Sequence, residues 1–98
     1  MAIKVIIRHK FSKEKEKEFF NCIQEIRGLV PLQPGYISGE YLKTIDENNE
    51  IATLSTWFSI EDWHAWFESD TCKDILARID KMGSVKTSCS IYRYIITR

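Results

Sequence analysis

Apolar residues at the start of the chain alternate with a period of two. Ile3, Val5 and Ile7 share one face of a segment running from Ala2 to Lys10, and Lys4, Ile6 and Arg8 share the other. That alternation, rich in β-branched side chains, predicts a strand. The spacing then changes. Phe19, Ile23, Ile26 and Val30 recur every three to four residues, which is the stripe of a helix. Its charged opening runs from Lys13 to Glu18, and the Ser12 hydroxyl is placed to cap it. Pro31 and Pro34 end it, since proline lacks the amide donor and restricts the residue before it. Two extended segments follow, Gly35 to Ile45 and Glu50 to Phe58, joined by the turn-forming run Asp46-Glu47-Asn48-Asn49. They predict an antiparallel hairpin. Ser59 and Asp62 have the spacing of a capping box, and the tryptophan-rich helix they open runs through Phe67. Ser69-Asp70 marks a break and a second cap. Ile75, Leu76, Ile79 and Met82 form the next stripe, closed by Gly83-Ser84. Thr87 to Thr97 reads as the last strand.

The order β-α-β-β-α-α-β predicts an α+β fold, a ferredoxin-like split β-α-β with an antiparallel sheet, as one domain over residues 1–98. The strands look apolar on both faces. The first strand divides Ile3, Val5 and Ile7 from Ile6, the third divides Ile51 and Trp57 from Leu54 and Phe58, and the last divides Cys89, Ile91 and Ile95 from Tyr92, Tyr94 and Ile96. Helices in this topology cover one face only. Water is a poor cover for the second, so a two-fold homodimer is expected.

Composition narrows the function classes. Fourteen Lys and Arg cancel fourteen Asp and Glu, so no bulk field favours nucleic acid or an anionic membrane. The apolar runs are only a few residues long, too short to span a bilayer, and Lys4 and Arg8 interrupt any signal-like N-terminal run. Cys22, Cys72 and Cys89 are odd in number and far apart, which predicts buried free thiols in a reducing cytoplasm.

Two stretches carry a family resemblance. Pro34-Gly35-Tyr36-Ile37-Ser38-Gly39-Glu40 resembles the Pro-Gly-Phe start of the second strand in antibiotic-biosynthesis-monooxygenase domains. Residues 56–69, TWFSIEDWHAWFES, resemble that family's strand-ending Trp, capped short helix and Ser before the next helix. The resemblance implies a dimeric α/β barrel with a small-molecule cavity between sheet and helices. The family is chemically mixed, and its fold alone selects no reaction. Its haem-degrading branch uses an Asn on the first strand, a Trp on the short helix and an axial His on the next. Here those positions fall on Ile7, Trp66 and Leu76. An apolar side chain neither ligates iron nor bonds a dioxygen species, so haem degradation is not expected. Many members place His where this chain has Trp66 and Thr71; that acid–base pair is missing too.

The remaining candidates are few. His9 shares parity with Ile7 and could reach the cavity as a base, because imidazole titrates near neutrality. His64 should be exposed on its helix. The histidines have no ligand spacing to each other or to a cysteine, so no metal site and no cofactor are expected. Trp57 and Trp63 read as core, and Trp66 as a cavity wall. Tyr36, Tyr41, Tyr92 and Tyr94 could each donate a phenolic hydrogen bond, though tyrosines on strands usually cover an interface. Two functions follow. One is an enzyme resembling cofactor-independent monooxygenases, acting on an aromatic or quinone-like substrate with His9 as catalytic base and Trp66, Ile7 and Leu76 against the ligand. The other is a non-catalytic dimeric protein that binds a small apolar or aromatic ligand. Polar side chains converging in the cavity would separate them.

Overall fold

A computed structural model describes residues 1–46, 48–83 and 85–96. The expected turn residue Glu47, the helix-closing Ser84 and the strand-ending Thr97 lie outside the described residues. The strands are β1 (Ile3–Lys10), β2 (Tyr36–Lys43), β3 (Glu50–Trp57) and β4 (Lys86–Arg93), in the sheet order β2-β3-β1-β4. All neighbours pair antiparallel. The helices are α1 (Glu16–Leu29), α2 (Ile60–Phe67) and α3 (Asp70–Lys81). This is the expected ferredoxin-like arrangement.

Register decides which residues share a face. Ile3, Val5, Ile7 and His9 of β1 stand opposite Trp57, Ser55, Thr53 and Ile51 of β3. That row faces the helices, and Val5 and Trp57 have no exposed surface at all. One core group joins Ile3, Val5 and Trp57 to Val30, Trp63, Trp66 and Cys72; another joins Ile51 to Phe11, Phe19, Ile23, Ile75 and Ile79. Dispersion and burial of these side chains are the main stabilising terms.

The caps differ between helices. Ser59 accepts from the Asp62 backbone N–H at 3.2 Å and Ser69 from that of Cys72 at 3.2 Å, as their spacing predicts. The Ser12 hydroxyl does not cap. Residues Lys13–Lys15 form a separate 3-10 turn, in which Lys15 N–H bonds the Ser12 carbonyl, and α1 starts only at Glu16.

The last strand is shorter than expected. β4 ends at Arg93 because its partner β1 begins at Ile3, directly opposite, and leaves no further ladder. Tyr94 lies beyond the strand; its hydroxyl is 3.2 Å from Thr56 Oγ1 and its ring lies under the Lys4 ammonium. The second face is also less apolar than alternation implied. Its rows are Leu42–Ala52–Arg8–Ser88, Glu40–Leu54–Ile6–Ser90 and Ser38–Thr56–Lys4–Tyr92, so the apolar residues form a stripe flanked by charge and hydroxyls. Phe58 and Ile96 stand outside the strands and are exposed. Among the described residues no helix is long and apolar enough to cross a membrane.

Gly35 locks the junction between β2 and α2. Its φ of +85° suits glycine alone, its carbonyl accepts from Phe58 N–H at 2.7 Å, and a Cβ there would run into the Asp62 carboxylate. Gly35→Ala should therefore cost roughly 1–3 kcal/mol. Urea denaturation should show a lower midpoint with an unchanged slope.

Candidate functional site

Packing leaves a cavity of about 50 Å³ between the helix face of the sheet and the helical layer. The sheet contributes Ile7, His9, Tyr36, Gly39, Tyr41, Thr53 and Ser55; the helical layer contributes Ile26, Val30, Trp63, Trp66, Phe67, Cys72 and Leu76. The structure thus brings Ile7, His9, Trp66 and Leu76 to one wall-lined space. Ile7, Phe67 and Leu76 also border a wider cleft of about 750 Å³ along α3, shared with Lys73, Val85 and Thr87. Among the described residues, these three side chains are the ones that border both spaces.

Trp66 is both wall and core, with 4% of its surface exposed. Ser69 fixes its place. The Ser69 hydroxyl donates to the Trp66 carbonyl at 2.6 Å while accepting from Cys72 N–H, so one capping residue sets two parts of the wall. Trp57 is core, as expected. Trp63 stacks on Phe67 with ring centres 5.2 Å apart and reaches the cavity as well. His64 is exposed on α2.

His9 is 3% exposed, its ring tilted against Phe19 at 5.0 Å and its Nδ1 3.1 Å from Thr87 Oγ1. Burial disfavours the imidazolium and lowers its pKa from 6.5 to about 4, so the ring is neutral at pH 7. Among the described residues no fully buried side-chain nitrogen or oxygen lacks a partner. His9 also lines the cavity.

Tyr36 and Tyr41 are the polar residues that strand parity missed. They have opposite parity in the sequence. The β2–β3 register shifts between Tyr36 and Ser38, and this bulge at Ile37 turns Tyr36, Gly39 and Tyr41 to the helix face together. The only sequence signal was the glycine three residues after Tyr36. The Tyr36 ring meets Trp57 edge-on at 5.5 Å, and its hydroxyl lies against Gly39 where any Cβ would stand. Burial raises the pKa of both phenols, and that of Tyr41 is raised further by Tyr36 nearby. Both stay protonated donors at neutral pH.

The thiols are only partly as expected. All three are free, but Cys89 is exposed on β4, a strand the helices do not cover. Burial pushes the Cys72 thiol up to about 11, so it contributes no thiolate to the cavity. Among the described residues no group of three His, Cys, Asp or Glu side chains converges as a metal cluster would. Ile7 and Leu76, where the haem-degrading branch would need its polar partner and iron ligand, are both on the cavity wall and apolar.

Residues 2–78 match the family model described as antibiotic biosynthesis monooxygenase. No curated protein matches the chain. A putative antibiotic biosynthesis monooxygenase from Deinococcus radiodurans superposes with a TM-score of 0.89 at 9% identity, covering 100% of this chain and 96% of that one. SnoaB, a cofactor-independent oxygenase from Streptomyces nogalater, gives 0.84 at 11% identity, with 98% and 95% covered. A conserved protein from Methanosarcina mazei Go1 gives 0.85 at 21% identity, with 95% and 92% covered. At these identities the likeness is one of fold.

The buried neutral imidazole has a consequence for stability. As pH falls from 6.5, the unfolded chain takes up the His9 proton before the folded one does. Stability from this group is complete above about pH 6.5 and is lost between there and pH 4, to a total of roughly 3 kcal/mol. His9→Gln, which keeps a neutral polar group, should flatten that part of the profile. Urea denaturation of both proteins at pH 7 and pH 4.5 measures the difference, expected at about 2 kcal/mol or more.

Proposed function

The chain belongs to the antibiotic biosynthesis monooxygenase family, and on that premise we propose that it is a small-molecule enzyme oxidising an aromatic or quinone-like substrate with dioxygen. The observation that carries this reading is the convergence of His9, Tyr36 and Tyr41 on one cavity beside Trp66. An indole wall suits a flat ring through offset stacking. With Nδ1–H donating to Thr87, His9 presents the Nε2 lone pair and takes a proton from the bound substrate. The two phenols stabilise the negative charge that develops on the substrate oxygen. The electron-rich anion then reacts with dioxygen. A ring methylene becomes a carbonyl, one oxygen atom enters the product, and the other leaves as water with the two hydrogens. No external reductant is needed for that balance.

A non-catalytic ligand-binding role is the second reading, favoured by one observation. An imidazole with a pKa near 4 is a weak base, and its bond to Thr87 also serves the β1–β4 pairing. Dioxygen uptake separates the two. With anthrone as probe, wild type should consume oxygen and His9→Gln should be slower by roughly a hundredfold. Anthrone binding without uptake would establish the accessory role.

We further propose that the protein works as a cytoplasmic homodimer closed over the open sheet face. The apolar stripe through Leu54 and Ile6, with Tyr92 half-exposed beside it, supports this assembly. Sedimentation equilibrium should give twice the 11.5 kDa chain mass, and Ile6→Asp should shift the protein toward monomer. A monomeric wild type at micromolar concentration would overturn the assembly.

A further inference from the structure

We propose that Tyr36 and Tyr41 form a two-hydroxyl clamp for a single oxygen on the edge of a flat ring. The site then selects phenols, naphthols and quinones over plain hydrocarbons of the same shape. The inference deepens the small-molecule reading above and rests on it.

Three features of the chain converge on this arrangement. The bulge at Ile37 is what puts both phenols on the helix face, since an uninterrupted strand would turn one of them to the open face. Gly39 gives the Tyr36 hydroxyl the place that a Cβ would otherwise fill. Neither phenol spends its hydroxyl on another side chain or on the backbone among the described residues, and neither oxygen is sealed in the core. Two phenols lining one cavity, both protonated donors, suit the two lone pairs of one carbonyl or phenolate oxygen.

Size supports the same placement. A void of about 50 Å³ is well below the space a drug-sized ligand fills, so it takes the oxygen-bearing edge of a ring. The rest of the molecule extends past Ile7, Phe67 and Leu76 into the cleft of about 750 Å³.

Naphthol and naphthalene, alike in shape and differing by one hydroxyl, are the probes. Their affinities are read from quenching of tryptophan fluorescence for wild type, Tyr36→Phe, Tyr41→Phe and the double variant. Wild type should prefer naphthol by roughly tenfold or more, each single variant should lose part of that preference, and the double variant most of it. Naphthalene affinity should stay within about twofold throughout, which a general disruption of packing would not allow. Gly39→Ala should mimic Tyr36→Phe by displacing the hydroxyl. A naphthol preference untouched in the double variant would overturn the clamp while leaving the small-molecule reading in place. Binding of neither probe by wild type would overturn both.

Discussion

A fully buried indole organises this protein. Trp57 has no exposed surface, and a buried indole N–H must find an acceptor or lose about the value of a hydrogen bond. It finds Ser55 Oγ at 2.9 Å, two residues back on the same strand and the same face. With its polar edge satisfied inside β3, the ring offers its edges and faces to Tyr36 at 5.5 Å and Trp63 at 5.7 Å. One side chain therefore ties β2 to α2 across β3, while its register partner Ile3 brings in β1. The position of the cavity wall follows from these contacts, because Trp63 and Trp66 stand on the same short helix.

The polar and apolar pattern carries this much of the fold because the buried face is continuous. Period-two residues in β1 and β3 and the stripes of α1 and α3 all end in the same core, so local pattern and tertiary packing agree. The pattern misleads where an element has no cover. In β4, Cys89 and Ile91 alternate correctly yet remain exposed, since the helices lie over the other strands. Its length was misread for a related reason: strand-like residues at 94–96 have no partner to pair with once β1 has ended. Composition reports a preference for a pleated surface and says nothing about whether a neighbouring strand is present.

The candidate site was legible to the extent that it lies on regular elements. Ile7 and His9 follow from parity in β1, and Leu76 follows from the stripe of α3. Trp66 came with the family resemblance. Tyr36 and Tyr41 were not legible together, because a bulge is a defect in periodicity and every parity argument assumes there is none. A glycine inside a strand is its usual trace, and Gly39 sits one residue past the register shift.

That break also explains why a small domain tolerates polar groups inside. A buried neutral histidine, two phenols and an unfilled space each work against stability in a core of modest size. Here the costs are confined. His9 is bonded to Thr87 and its ring packs on Phe19. Tyr36 rests on Trp57 and Gly39, and Tyr41 packs on the core group that includes Phe19 and Ile51. Side chains held on strands keep their relative positions when a ligand arrives, so little ordering remains to be done on binding. His9, Tyr36 and Tyr41 are therefore held in place by the same register that builds the core.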